Sequence, residues 1–222
     1  MSEETWPAVD AFFEERLIGS QPALEAAIRA SVAADLPSIQ VSASQGKLLQ
    51  ILALTQSATR ILEIGTLGGY SALWLVGALP PGGQLVTLEV EPRHAAVARA
   101  NFAQAGVAKQ IELHLGPALE TLTRLRSQNV APFDLIFIDA DKPNNLHYVQ
   151  AALDLSRPGT LIVVDNVVRR GAIVAKQRDA GAEGVRRMTD WIAKEPRLRA
   201  TAIQTVGSKG YDGFLVARVE AP

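Results

Sequence analysis

A chain of 222 residues, 48% apolar and 20% charged, has the length of one large domain rather than two small ones, and it can bury enough surface to fold without covalent staples. Its formal net charge of −1 supplies no field for binding nucleic acid or an anionic membrane. The absence of cysteine excludes disulfides, thiolate nucleophiles and zinc–thiolate sites.

The opening "MSEETWPAVDAFFEERL" carries acidic residues where a secretion signal needs a basic start and an apolar core. No apolar stretch approaches the length needed to cross a bilayer, so a soluble, cytoplasmic protein is expected. The first fifty-odd residues are helical in character. "AVDAFFEERLI" sets Val9, Phe12, Phe13 and Leu17 at helical spacing, and "ALEAAIRASVAADL" does the same with Leu24, Ile28 and Val32 before Pro37. "QGKLLQILALTQ" predicts a third helix with a broad apolar face of Leu48, Leu49, Ile51, Leu52 and Leu54.

From residue 60 strands alternate with helices. "RILEIG", "QLVTLEV", "IELHLG", "FDLIFIDA" and "TLIVVDN" read as strands. Between them "GGYSALWLVGAL", "RHAAVARANFAQAG", "ALETLTRLR" and "NNLHYVQAALDLS" read as helices. "VRRMTDWIAKE" is a further helix, and "ATAIQTV" with "GFLVARVE" form a closing pair across the turn-rich "GSKGYDG", a predicted hairpin. This order predicts an α/β fold, a parallel sheet with helices on both faces. One domain over 1–222 is expected, with 1–56 as a helical segment packed on the α/β core.

In open α/β sheets ligands sit at the carboxyl ends of the strands. The first strand ends in "LEIGTLGGYS", whose glycines at 65, 68 and 69 allow a tight turn and a close backbone approach. A dinucleotide fingerprint would need glycine at positions 67 and 70, which hold Leu67 and Tyr70. Glu63 would repel a pyrophosphate but suits a cationic or amino-bearing ligand. Glu89, ending the second strand, can accept hydrogen bonds from both hydroxyls of a ribose. A nucleoside with no phosphate, carrying a sulfonium and an amino acid tail, meets both conditions, and that is S-adenosylmethionine. Ser71, at the start of a helix, either binds a carboxylate or caps its own helix.

The fourth strand ends at Asp139 and the fifth at Asp165–Asn166. Adjacent parallel strands lie about 4.8 Å apart, so two carboxylates and an amide oxygen can converge on one ion. That oxygen-only set suits Mg²⁺, with Ca²⁺ or Mn²⁺ as alternatives. Asp-Asn is also a common turn, and the alignment with Asp139 is what favours the metal. Lys142 follows directly and is expected as a base or an electrostatic anchor, since a nearby cation lowers a lysine pKa by like-charge repulsion. His94, His114 and His147 share neither triad nor metal spacing and are assigned no chemistry.

Together these residues resemble the cation-dependent, class I S-adenosylmethionine O-methyltransferases, the group that includes catechol and caffeoyl-CoA O-methyltransferases. The most specific stretches are "LEIGTLGGYSALWL", "DLIFIDADKPN" and "LIVVDNVV". The resemblance implies a Rossmann-like, seven-stranded sheet whose last strand runs antiparallel. It implies donor contacts from Val41, Glu63, Gly65, Ser71, Glu89, Ala118 and Asp139, metal ligation by Asp139, Asp165 and Asn166, and Lys142 as the base. The reaction implied is in-line attack of a catechol-type phenolate on the sulfonium methyl, with the cation orienting the two vicinal oxygens. A homodimer is expected from the surplus of apolar surface on the N-terminal helices. Two departures bear on the acceptor: Arg169–Arg170 where relatives carry an aromatic residue, and Asn145 where they often carry Tyr. They predict an altered acceptor wall and a catechol bearing an anionic group. The rival readings are a nucleotide-dependent oxidoreductase and a non-enzymatic module that binds the donor or a metal.

Overall fold

Seven strands make one sheet in the computed structural model, which describes residues 5–221. They are β1 (Arg60–Ile64), β2 (Gln84–Glu89), β3 (Ile111–Leu115), β4 (Phe133–Ile138), β5 (Ser156–Asp165), β6 (Leu198–Gly207) and β7 (Gly210–Val219), in the spatial order 3-2-1-4-5-7-6. The first five pair in parallel, and β7 runs antiparallel between β5 and β6. This is the Rossmann-like, seven-stranded sheet with an antiparallel last strand expected from the sequence. The strand order reverses between β1 and β4, which opens the crevice where such sheets bind ligands.

The helices are α1 (Trp6–Phe13), α2 (Pro22–Ala33), α3 (Ala43–Thr55), α4 (Tyr70–Val76), α5 (Pro92–Gln104), α6 (Ala118–Ser127), α7 (Asn145–Asp154) and α8 (Ala180–Ile192). Local chemistry sets several starts. Proline leads α2 and α5, where its missing N–H has no helical partner to lose. Ser42 caps α3 by accepting from the Gln45 N–H at 3.1 Å, and Asp179 caps α8 by accepting from the Ala182 N–H at 2.7 Å.

The period-two alternation of the strands divides the core between the two faces of the sheet. Leu62, Ile64, Val86, Leu88, Ile136, Ile138, Ile162 and Val164 pack with Leu122 of α6, Val149 of α7 and Met188 of α8. Ile61, Leu85, Leu135, Phe137 and Val163 pack on the other face with Leu24 of α2, Leu49 of α3, Trp74 of α4 and Phe102 of α5. The central strand β4 is buried along its whole length, which is why its sequence is a continuous apolar run rather than an alternation.

Three sequence expectations need adjustment. Val9, Phe12 and Phe13 of α1 and Leu17 beyond it have helical spacing but remain 48–69% exposed, and the α-helix passes into a π-turn over Glu14–Ile18. On α3, Leu49 is buried but Ile51 and Leu54 are exposed. The hairpin loop is also shorter than its turn formers suggest, since the β6–β7 ladder continues to Gly207 opposite Gly210 and leaves only Ser208–Lys209 as the turn. Gly213 sits inside the strand because a Cβ there would meet the Ile203 carbonyl oxygen at 2.2 Å, so it marks a close backbone approach. Among the described residues no helix is long and apolar enough to cross a membrane.

Candidate active site

Strand parity gathers the charged residues. Glu63 shares a sheet face with Ile61, Thr87 and Glu89 with Leu85, Asp139 with Leu135 and Phe137, and Asp165 with Leu161 and Val163. Register aligns them along the strand ends. Glu63 lies beside Thr87 and Phe137, and Ile138 beside Val164. Asp139 and Asp165 are each the next residue beyond that last pair, side by side on adjacent strands. The Asp139 N–H still donates to the Ile64 carbonyl at 2.8 Å, which ties this end of β4 to β1.

The crevice holds a cavity of about 720 Å³. Val41, Gly65, Ser71, Glu89, Ala118, Asp139, Lys142 and Asn166 line it. Glu63 and Asp165 stand directly behind the lining, 0% and 4% exposed. All ten residues singled out in the sequence therefore converge on one site. Gly65 is needed for the closeness of its two halves, because a Cβ there would lie 2.2 Å from the Asp139 carbonyl oxygen and its φ is +99°.

On the β1–β2 side, Glu63 accepts from the Ser71 hydroxyl at 2.7 Å and the Thr87 hydroxyl at 2.6 Å. Burial pushes the Glu63 carboxyl up to about 8 against those two bonds, and the charges of Asp139 and Glu89 add to the rise. In this state it holds its proton at neutral pH. Ser71 does not cap α4; its hydroxyl is committed to Glu63. Glu89 is held from four sides, by the N–H groups of Thr66 (3.3 Å) and Leu67 (2.7 Å) on one oxygen and of Val90 and Glu91 (2.9 Å each) on the other. Four donors fix this carboxylate at the mouth of the crevice.

On the β4–β5 side, Lys142 is 8% exposed and its Nζ donates to Asp139 Oδ1 at 2.8 Å. Asp165 is raised to about 7, first by burial and then by the charge of Asp139, against the pull of Lys142, the Asn166 N–H and the Gln45 side chain. The two carboxylates thus repel one another with one ammonium group, bonded to Asp139, to offset them, and a dication would relieve that repulsion. Asn166 adds an amide oxygen from a left-handed backbone position, φ +54°. The chemistry of this set, all hard oxygen donors, fits Mg²⁺. Among the described residues no group of three or more His, Cys, Asp or Glu is placed to hold a metal ion.

Asp141, part of the motif but without a derived role, accepts from the Tyr148 hydroxyl at 2.5 Å and the Asn144 side-chain amide at 2.6 Å. It fastens the turn that carries Lys142 to the first turns of α7.

Several lining residues carry no linear signal. His94 lines the cavity with its Nδ1 3.6 Å from Glu89, and Tyr148 and Ile39 also contribute. Asn145, expected in an altered acceptor wall, is 0% exposed and outside the lining, so that departure does not touch the cavity. Of the two arginines, Arg169 lines the cavity, whereas Arg170 does not and is exposed.

The comparisons agree with this geometry. A family model described as O-methyltransferase matches residues 15–218. A catechol O-methyltransferase of Mycobacterium tuberculosis is 54% identical, covering 96% of each chain, and one of Niastella koreensis is 43% identical over 99% of this chain and 100% of its own length. A crystal structure of an O-methyltransferase from Bacillus cereus in complex with SAH has a TM-score of 0.97 at 49% identity, covering 99% of this chain and 100% of that one. The O-methyltransferase TomG from Streptomyces achromogenes in complex with SAM has a TM-score of 0.95 at 50% identity, with full coverage of both, 100% each. The chain belongs to the class I S-adenosylmethionine-dependent O-methyltransferase family.

Proposed function

We propose that this enzyme transfers the methyl group of S-adenosylmethionine to one hydroxyl of a catechol-type acceptor, with a divalent cation in the site. The observation that carries this reading is the adjacency of Asp139 and Asp165 across β4 and β5, beside Asn166 and Lys142, in the same cavity as Glu89. Two of the similar proteins are named catechol O-methyltransferases.

In this reading Glu89 binds the ribose hydroxyls, and Glu63, Gly65, Ser71 and Asp139 surround the amino acid end of the donor. Val41 closes over its methionine portion and Ala118 lies beside the adenine. Asp139, Asp165 and Asn166 hold the cation, Mg²⁺ by preference and Ca²⁺ or Mn²⁺ otherwise. A cation held by these residues would supply Lewis acidity, making an acceptor hydroxyl beside it easier to deprotonate. Lys142, once its ammonium has released a proton to solvent and stands as the free amine, would accept that proton at Nζ, and Asp141 with Tyr148 keeps its turn in place. The acceptor oxygen then attacks the methyl carbon, the carbon–sulfur bond breaks, and the sulfonium charge is neutralised as S-adenosylhomocysteine forms. The buried walls exclude water, which would otherwise solvate the phenolate and weaken it as a nucleophile.

We also read the chain as one methyltransferase domain over 1–222 and as a cytoplasmic homodimer. The dimer reading is supported by exposed apolar residues on α1 together with Ile203 and Val206 on the outer strand β6. Light scattering after gel filtration tests it, and a monomer at micromolar concentration would sink it.

The activity test is incubation with S-adenosylmethionine and a panel of catechols, with Mg²⁺ or with excess chelator, followed by detection of methyl ethers. Turnover is expected with Mg²⁺ and its loss with chelator. Undiminished turnover in chelator would overturn the cation assignment, and no turnover on any vicinal diol would overturn the acceptor assignment.

A further inference from the structure

We propose that Arg169 is a specificity residue that selects catechols carrying a carboxylate, by pairing its guanidinium with that group inside the cavity. The inference rests on the catechol reading above and names a narrower class of acceptor.

Three observations meet at this side chain. Besides His94, the basic side chains lining the cavity are Lys142 and Arg169, and of these the guanidinium is the one whose charge is fixed. Lys142 is occupied by Asp139 at 2.8 Å. Arg169 makes no such bond. Its nearest anion, Asp179, is 4.0 Å away, and the other oxygen of Asp179 caps α8. Its Nε is buried against α8 with no hydrogen-bond partner.

The backbone is built to hold the side chain there. Arg169, Arg170 and Gly171 have φ values of +55°, +53° and +85°, a left-handed run that two non-glycine residues adopt only when their surroundings impose it. Asp212 imposes it by accepting from the N–H groups of Val168 (3.1 Å), Arg169 (3.0 Å) and Gly213 (3.0 Å). The guanidinium lies along α8 at Gly181, where a Cβ would stand 3.3 Å from its terminal nitrogen. Arg169 is thus positioned by the turn, given room by a glycine and held only by a long 4.0 Å ion pair to Asp179.

The class of ligand follows from charge and shape. With Asp139 and Asp165 engaged by a cation and by Lys142, Glu89, Glu91 and Asp141 remain as anions on the lining, and Arg169 is the side chain there that can offset them toward an anionic acceptor. A planar guanidinium matches a carboxylate through two parallel N–H donors, which an ammonium group does not. Arg169 and Asn166 both line the cavity, three residues apart in the chain, so a carboxylate elsewhere on the ring than the vicinal hydroxyls is the group it would meet.

The test compares catechol with protocatechuate, its ring carboxylate analogue, using the full chain with S-adenosylmethionine and Mg²⁺. Arg169→Gln is expected to raise KM for protocatechuate about tenfold, leave KM for catechol within about twofold and leave kcat on both nearly unchanged. Arg169→Lys should fall between, and Arg170→Gln should match the parent on both. Calorimetric binding of protocatechuate in the presence of S-adenosylhomocysteine and Mg²⁺ supplies a readout that needs no turnover, and it should weaken by the same factor. Equal effects on the two acceptors, or none, overturn the role of Arg169 while turnover of catechol keeps the wider reading intact. Absence of methylation on both in the parent enzyme overturns the catechol reading and this inference with it.

Discussion

A Cβ placed on Gly184 of α8 would stand 2.2 Å from the carbonyl oxygen of Lys142 and 2.7 Å from the Cα of Pro143. Helix α8 therefore rests directly on the segment that presents the proposed base, and both surfaces are backbone, which has little freedom to yield. Gly184→Ala is expected to push Lys142 away from Asp139. The overpacking should reduce stability by about 1–3 kcal/mol. A displacement near 1 Å should lower kcat by on the order of a hundredfold. Urea unfolding and steady-state kinetics measure the two, and unchanged kcat in a folded variant would show that α8 does not position Lys142.

Lys142→Met removes the amine and keeps much of the length. Loss of a general base lowers rates by roughly 10²–10⁴-fold. That fall is expected in kcat, with binding of S-adenosylhomocysteine preserved. Because the ammonium group also balances Asp139 at 2.8 Å, the free variant should lose stability at neutral pH, and Mg²⁺ should restore part of it. A kcat within threefold of the parent would remove Lys142 from the proton transfer.

The parts of this site legible in the sequence were those where a charge interrupts an apolar strand. Glu63, Glu89, Asp139 and Asp165 stood out because each follows buried residues at period two, and the sheet turns that period into a shared face. The family resemblance supplied Val41 and Ala118, which have no chemistry to announce them. Thr87, Tyr148 and His94 were not legible as site residues. Thr87 and Tyr148 act through a single hydrogen bond to a carboxylate on another segment, and no spacing along the chain encodes that. Asn145 misled because the motif around it lines the cavity while its own side chain turns inward and is fully buried. The apolar spacing on α1 marked a helix correctly but could not tell a face buried in the chain from one left exposed.

Asp134 offers a test of the fold away from the site. It accepts from the N–H groups of Thr59 (2.8 Å) and Arg60 (3.0 Å), from the Thr59 hydroxyl at 3.0 Å and from Arg157 at 2.5 Å, joining the starts of β1, β4 and β5. Burial raises its pKa, but these hydrogen bonds outweigh it and hold the carboxyl below its ordinary value. A carboxylate depressed in the folded state stabilises the protein fully above its unfolded pKa, about pH 4, and loses that contribution as pH falls through the folded value. Asp134→Asn should therefore cost about 1–3 kcal/mol at neutral pH and progressively less in acid. Chemical unfolding across the acid range checks this, and a difference that stays constant down to about pH 2 would refute the linkage.

Glu63 has the opposite sign. Its carboxyl, raised from 4.5 to about 8 by burial and then by the neighbouring carboxylates, keeps its proton in the free folded enzyme across a range where the unfolded chain releases it. Its contribution to stability is whole below the unfolded value and drains away as pH rises through the folded one, at up to about 1.4 kcal/mol per pH unit between the two. Glu63→Gln cannot titrate, and the hydroxyls of Ser71 and Thr87 can rotate to serve an amide. Relative to the parent, the free variant should gain stability steadily from about pH 5 to about pH 8. Urea midpoints taken at intervals over that range measure the gain. Parallel profiles for the two proteins would mean that Glu63 is already ionised in the free enzyme and that its burial does not set its protonation.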